Sequence, residues 1–404
     1  MKKLYCLVTI IMMTAVNLFA EPGINDLTIQ QFLQTAEKDF SVENLNEQTE
    51  AFIDASLNTP FFDRVEAITE SSEFDLEKQR YALRFYPKGW GERKYSKNIL
   101  EAQKALDRFE YNVKFNNAVK FRYDLALEYL EISSLLEINK KRMSLLNGHI
   151  ETLNVKTQLS SYLEAEETLI GINLMQVDLQ NRKTGVISRI HTAAATTATI
   201  YFDKEILATF DNLNEIVSEI SSKDSTVNAT LSKKQNGIDL LNNQYLLGKA
   251  KNKNYISYIQ GNFDTDNAPD FEKTYSFKLA VKLPFINSGR EELTSLKRKH
   301  MEAKLSFLEA RQAVSEEKKK LTRELQRYQR QLKVLLDVKK KRNSMLSNET
   351  LSKNDRFKLK HSIITTDQQI VSLDAKIRSV FIQLVDLAGE LSVSPLVNYI
   401  VHST

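Results

Sequence analysis

Cysteine, proline and glycine are all scarce in this chain, which has 1 cysteine, 6 prolines and 11 glycines in 404 residues. Because the single cysteine is Cys6, the chain can form neither an internal disulfide framework nor a metal site built on several cysteines. Few prolines and glycines, together with 27% charged residues, are typical of long helices with exposed faces rather than of compact domains rich in loops. The composition therefore predicts a mainly helical and extended protein.

Long apolar runs are also lacking beyond the N-terminus. Lys2 and Lys3 precede an apolar stretch from Leu4 to Val16, and a plausible cleavage site follows Ala20. This order predicts a signal peptide, residues 1–20, and therefore an exported protein; a membrane anchor is the alternative, although the stretch is short for one. No later segment is apolar enough to be a membrane helix, so any insertion into a bilayer must use strands.

Motifs for catalysis or ligand binding are absent from the sequence as well. The five histidines never occur three or four residues apart, so no helix face offers a paired metal site (His149, His191, His300, His361 and His402). No phosphate-binding glycine pattern, catalytic serine–histidine–aspartate set or pair of carboxylates is evident. We expect a protein that is not an enzyme and that has no cofactor or metal.

A basic segment from Lys318 to Arg342 could in principle contact nucleic acid. Acidic residues interleave with the basic ones, among them Glu317, Glu324 and Asp337. Such a pattern is typical of a solvated coiled-coil face, and an exported chain does not meet nucleic acid. We therefore expect no nucleic-acid partner.

The clearest pattern is a strand that leads into a very long helix. From Tyr275 to Leu283 apolar and polar side chains alternate, which is typical of a strand with one apolar face. From Glu291 the period becomes helical and no proline interrupts it before Pro395. Within this helix a coiled-coil seam is predicted from spacings of four and three residues, at Leu321, Leu325, Tyr328, Leu332 and Leu335.

The order helix, strand, strand, long helix, turn, helix occurs twice, which predicts an internal duplication. The predicted organisation is a first repeat at 21–190 (strands about 61–87, helical hairpin about 91–184), a linker region at 191–230, a second repeat at 231–390 (strands about 253–285, helical hairpin about 290–388) and a C-terminal tail at 391–404. The fold class is thus mostly α, with long coiled-coil hairpins and four strands per chain.

Four strands cannot close a barrel in lipid, where every strand edge must be paired and about eight strands are the minimum. Insertion therefore requires self-association, and two or three chains would supply an even number of strands. The expected lipid-facing or girdle residues are Tyr275, Phe277, Leu279, Val281, Tyr81, Phe85 and Trp90. The expected lumen-facing residues are Lys278, Lys282 and Arg84.

Three segments carry a resemblance to a known family: Leu27–Leu33, Leu283–Arg290, and Ser352–Phe357 with the helix end at Leu387–Gly389. On these residues the chain resembles the TolC-like outer-membrane efflux proteins. The resemblance implies a homotrimer in which twelve strands form one barrel in the outer membrane and twelve helices form a tunnel in the periplasm. It also implies two partners, a periplasmic adaptor and an inner-membrane transporter, for the export of small molecules or proteins.

The resemblance further implies that Asp355 narrows the tunnel entrance, where a ring of carboxylates would favour cations. Lys358 stands where the family often has a second acid, and Glu349 and Glu151 are further candidates for the constriction, one on each tip turn. Alternatively, Asp355 only caps the last helix. The function implied is a passive conduit for tripartite efflux or type I secretion; the alternative is a soluble periplasmic coiled-coil scaffold whose strands pair in a small head.

Overall fold

The computed structural model describes residues 26–53, 60–71, 79–154, 158–202, 207–222, 228–264, 275–282, 289–347, 351–391 and 396–401. These residues fall into two compact units. One unit comprises the described residues within Met1–Val42, Phe115–Asp224 and Glu317–Thr404, and the other those within Glu43–Lys114 and Ser225–Glu316. The predicted signal peptide, the strand end at Leu283 and the tip residue Glu349 lie outside the described residues.

Helices dominate the described part of the chain, as the composition predicts. They are α1 (Ile29–Gln34), a 3₁₀ helix (Thr35–Lys38), α2 (Phe40–Ile53), α3 (Glu92–Ile150), α4 (Leu159–Ala194), α5 (Phe210–Ser222), α6 (Ala229–Asn252), α7 (Arg290–Leu346) and α8 (Lys353–Ala388). A helix of 59 residues such as α3 is about 90 Å long at 1.5 Å per residue. No single small core can bury such a helix, so it must pack along its side against other helices.

The strands form one antiparallel sheet in the order β1-β2-β3-β4. They are β1 (Phe62–Ser71), β2 (Gln79–Pro87), β3 (Ile256–Asp264) and β4 (Tyr275–Val281). The four strands predicted from the sequence are thereby confirmed. β2 pairs with β3 although they are far apart in sequence, with Phe85 opposite Ile259, so the two hairpins make a single sheet.

The internal duplication is visible in the lengths of the helices. Each pair of strands is followed by one very long helix, of 59 residues in α3 and 57 in α7. Each of these is followed by a shorter helix, and α4 and α8 both have 36 residues. The two repeats therefore share element order and element length, which confirms the predicted duplication.

A glycine directly precedes each of the two long helices. Gly91 precedes α3 with a φ of 89°, a left-handed conformation that costs glycine little and other residues much. Gly289 precedes α7, and a Cβ atom there would clash with the side chain of Asn252. A glycine therefore stands at the same point of each repeat, and a positive φ requires it at Gly91.

The N-terminal segment is held to α3 by a buried arginine. α1 begins with a capping box formed by Thr28 and Gln31. The fully buried Arg122 donates its Nε–H to Thr35 Oγ1 at 2.9 Å and an Nη2–H to the carbonyl oxygen of Ala193 at 2.6 Å. Its guanidinium also lies 3.4 Å from the carboxylate of Asp39. These bonds satisfy a charge that would otherwise be costly to bury.

The predicted coiled-coil seam of α7 forms. Leu321, Leu325 and Leu332 are buried, with exposed fractions of 4%, 1% and 4%, whereas Tyr328 and Leu335 are half-buried. One helix boundary differs from expectation, because α4 continues to Ala194 rather than ending near residue 184. Val186 and Ile190 are buried on its continuing face, and alanines near its end favour helix, so packing and propensity both extend it.

Candidate functional site

The sheet has two chemically different faces. Side chains that lie directly opposite each other on antiparallel strands share a face, so the register defines rows across the sheet. Three rows share what we call the apolar face: Val65, Phe85, Ile259 and Leu279; Ala67, Leu83, Gly261 and Phe277; and Thr69, Tyr81, Phe263 and Tyr275. Three rows share the polar face: Glu66, Arg84, Gln260 and Lys278; Ile68, Ala82, Asn262 and Ser276; and Glu70, Arg80 and Asp264.

A water-soluble sheet buries its apolar face and exposes its polar face, and this sheet does the opposite. On the apolar face Phe277 is 69% exposed and Leu83 is 52% exposed, whereas Gln260 and Asn262 on the polar face are each only 5% exposed. The buried amides are satisfied, since Asn262 Nδ2 donates to Ser276 Oγ at 2.9 Å and Gln260 Nε2 donates to Asn262 Oδ1 at 2.5 Å. Contiguous exposed apolar surface of this kind marks a face that meets something other than water.

The residues expected to face lipid follow this division with one exception. Tyr275, Phe277, Leu279, Tyr81 and Phe85 lie in rows of the apolar face, and Val281 continues their alternation in β4. Trp90 instead lies in the turn before α3 and is fully exposed.

Aromatic rings mark both ends of the apolar face. Tyr81, Phe263 and Tyr275 are in contact at the hairpin end, and Phe62 and Phe85 lie 5.2 Å apart at the helix end. Contact with lipid itself remains a prediction.

The residues expected to face a lumen lie on or beside the polar face. Arg84 donates its Nε–H to Gln260 Oε1 at 2.7 Å, and Lys278 belongs to the same row. Lys282 follows β4, and its backbone N–H donates to the carbonyl oxygen of Tyr255 at 2.6 Å. The structure thus brings Arg84 and Lys278 together in one row, which their separation in sequence does not reveal. That this face lines a lumen remains a prediction.

Both outer edges of the sheet are open. β1 and β4 are its edge strands, and among the described residues no further strand pairs with either one. An exposed edge presents a row of backbone N–H and C=O groups that can pair with another chain. The sheet of one chain is therefore an incomplete unit.

The candidate constriction residues lie near the ends of α3 and α8. Asp355 is exposed in the first turn of α8, and Glu151 is exposed directly after α3; Glu349 lies outside the described residues. Asp355 is not the cap of this helix, contrary to the alternative considered from sequence. The N-cap is Ser352, whose Oγ accepts the Asp355 backbone N–H at 3.1 Å and donates to the Asp355 carboxylate at 2.7 Å. The carboxylate is thus held at the helix start yet open to solvent.

An aromatic cluster that the sequence did not reveal joins α3 and α8 near Asp355. The rings of His149 and Phe357 stack at 3.6 Å with an angle of 11°. One turn further along α8, His361 Nε2 accepts a hydrogen bond from Arg142 Nε at 3.1 Å. Burial lowers the pKa of His149, and burial together with the Arg142 charge lowers the pKa of His361. We call these four residues the tip cluster.

Two kinds of feature are absent from the residues that the structure describes. They contain no group of histidine, cysteine, aspartate and glutamate side chains able to hold a metal ion. They also contain no helix that is both long enough and apolar enough to cross a membrane.

Comparison with known proteins places the chain by its structure alone. No protein-family model matches the sequence, and no curated protein is significantly similar to it. Solved structures do match over nearly the whole chain. The outer membrane protein VceC of Vibrio cholerae matches with a TM-score of 0.64 at 12% identity, covering 89% of this chain and 96% of that one.

Two outer-membrane channels also match over most of their length. OprN, described as an outer-membrane channel, matches with a TM-score of 0.67 at 10% identity, covering 91% of both chains. The open state of the Neisseria gonorrhoeae outer membrane channel MtrE matches with a TM-score of 0.59 at 10% identity, covering 89% of this chain and 88% of that one. The chain therefore has the fold of outer-membrane channel proteins. OprN and MtrE are both described as channels.

Proposed function

We propose that the protein is the outer-membrane channel of an export system and acts as a passive conduit. The observation that carries this proposal is that the sheet exposes its apolar face and buries amides on its polar face. An apolar outer face suits hydrocarbon, and a polar inner face suits a water-filled lumen, which is how strands of membrane barrels are patterned. A soluble head would bury the apolar face, so the scaffold alternative does not account for it. The proposed location is the outer membrane, with the helices in the periplasm after removal of signal peptide 1–20.

We further propose that three copies close the barrel. Each chain contributes four strands with two open edges, and in lipid those edges must be paired. Pairing β4 of one copy with β1 of the next would give twelve strands in three copies, an even number like that of known bacterial barrels. Lipid would then contact the apolar face all the way around.

Exposed apolar residues on two helices also support self-association. On α4 they recur at intervals of seven, four and three residues (Leu163, Ile170, Leu174 and Val177). On α7 they recur at intervals of four and three residues (Met301, Leu305 and Leu308). Such spacing is that of a coiled-coil seam, and a second copy of the chain is the occupant that a trimer would supply.

The energy for export would come from partners, because the sequence contains no nucleotide-binding motif. The proposed partners are a periplasmic adaptor and an inner-membrane transporter. A groove of about 670 Å³ near the tip cluster, lined by residues such as Ser144, Gln158 and Lys353, is a polar surface on which an adaptor could dock. Asp355, with Glu151 and Glu349, is proposed to narrow the conduit at this end. The cargo is either small molecules or proteins.

Detergent extraction and cysteine labelling test the proposal together. We expect light scattering to give the mass of three chains. Phe277→Cys and Leu279→Cys should be shielded from aqueous thiol reagents in proteoliposomes, and Lys278→Cys should react. The native Cys6 lies in the predicted signal peptide, so the mature wild type serves as the unlabelled control. A monomeric mass with equal labelling at all three positions would favour the soluble scaffold instead.

A further inference from the structure

Cationic side chains are concentrated at one end of the polar face. The row nearest the helices that spans all four strands contains Glu66, Arg84, Gln260 and Lys278. Arg64 lies one position nearer the helices on the same face, opposite Tyr86. Arg64, Arg84 and Lys278 thus form a band across the sheet, which we call the cationic collar.

The two arginines of the collar are held in place by aromatic rings. The Arg64 guanidinium lies 4.1 Å from the centre of the Tyr86 ring, and the Arg84 guanidinium lies 4.4 Å from the centre of the Tyr258 ring. Arg84 is further fixed by its bond to Gln260 Oε1. Guanidinium groups stacked on tyrosines and bonded in this way keep their charge at a defined position.

Two carboxylates of β1, Glu66 and Asp63, lie near these three cations, and the charge of Asp63 acts on Arg64. Glu66 lies 2.9 Å from the Arg64 guanidinium and 3.6 Å from that of Arg84, and it also accepts the Tyr86 hydroxyl at 2.8 Å. With both carboxylates counted, the collar carries an excess of one positive charge in each chain. At the hairpin end the balance is different, because Arg80 is paired with Asp264 at 2.9 Å and shares its row with Glu70.

We propose that the cationic collar makes the conduit prefer anions. The inference rests on the proposed function, in which the polar face lines the lumen of a trimer. Three copies would then place three excess positive charges around one ring, inside walls of low dielectric that focus the field on passing ions. Rings of charged side chains select counter-ions in this way. The solutes favoured are those with carboxylate, phosphate or sulfonate groups, which guanidinium binds well.

The collar also opposes the expectation drawn from Asp355. A ring of carboxylates at the tip would favour cations, whereas the collar favours anions. Asp355 contributes one negative charge per chain at an exposed site, and Arg356 and Lys358 flank it on α8. We assign the preference of the conduit to the collar, because stacking and hydrogen bonds hold its arginines at defined positions, whereas Arg356 and Lys358 lie next to Asp355 and offset its charge.

Reversal potentials in planar bilayers test the collar. The purified full-length protein is measured under a roughly tenfold KCl gradient with the dilute side near 0.1 M, where screening acts over about 10 Å. We expect a reversal potential of the sign that denotes chloride preference. Lys278→Gln, whose side chain is exposed, and Arg84→Gln should each move the potential toward zero, and the double variant should move it furthest.

Two matched variants control for indirect effects. Glu66→Gln introduces the same amide in the same row but removes a negative charge, so it should increase the chloride preference. Arg84→Lys keeps the charge and should keep most of the preference. The collar proposal is overturned if the wild-type channel shows no anion preference. It is also overturned if none of the neutral variants changes the reversal potential. Absence of any conductance from trimeric protein overturns the proposed function, and the collar with it.

Discussion

Substitution of Phe277 by arginine tests whether the apolar face contacts hydrocarbon or water. Phe277 lies in the same row as Leu83, in the middle of β2, and its side chain is 69% exposed in the single chain. If the face meets hydrocarbon, an arginine at mid-depth should cost about 2–4 kcal/mol per chain, which is roughly 6–12 kcal/mol for three copies. If the face meets water, an exposed substitution should change stability by no more than about 0.5 kcal/mol. The two cases differ by an amount that is easily measured.

Urea titration of protein folded into lipid vesicles is the assay, with the folded fraction read from the heat-dependent mobility of the band on a gel. Phe277→Leu is the control, because it keeps an apolar side chain at the same position. We expect the arginine variant to lose most of its folded fraction under conditions in which the leucine variant keeps it. Equal stability of the two variants would refute lipid contact at the apolar face.

Four further predictions concern the helices and the contacts between them. Folding holds the pKa of His361 below its ordinary value of 6.5, so the unfolded chain binds more protons and stability should fall as the pH drops below about 6.5; thermal unfolding at a series of pH values should show a smaller loss in His361→Gln. Asp355→Asn should raise conductance in planar bilayers and weaken block by divalent cations, and unchanged block would remove Asp355 from the constriction. Ser352→Ala should cost about 1 kcal/mol of stability as a lost N-cap, whereas Asp355→Asn should cost less in the same denaturation experiment. Arg122→Met should cost about 3 kcal/mol or more, since it leaves buried acceptors unpaired, and a smaller loss would show that Arg122 is not essential to the N-terminal contact.

Local sequence patterns predicted the elements of this fold, because each one has its own period. The alternation from Tyr275 onward requires no knowledge of the rest of the chain, and neither does the four-three spacing from Leu321 to Leu332. The order of elements in the two repeats follows from the same local signals. Helix ends were less predictable, since the continuation of α4 to Ala194 depends on burial of Ile190.

Contacts between distant residues could not be predicted from sequence. The pairing of Phe85 with Ile259 joins two hairpins, and no periodicity within either hairpin specifies it. For the same reason the row shared by Arg84 and Lys278 was not foreseen. No local pattern around His149 indicates an aromatic partner, and only the approach of α8 brings Phe357 onto its ring. Physical neighbours of this kind are set by the tertiary fold.

The two open edges of the sheet make the proposed self-association directional. β1 would meet β4 of a neighbouring copy and never its own equivalent, so the interface is heterologous, or head to tail. Interfaces of this type close into a ring only if the rotation between successive copies divides a full turn; otherwise they extend into open filaments. The curvature of each four-stranded sheet therefore determines the number of copies. A substitution that flattened the sheet would convert a finite assembly into a polymer without altering any residue at the edges.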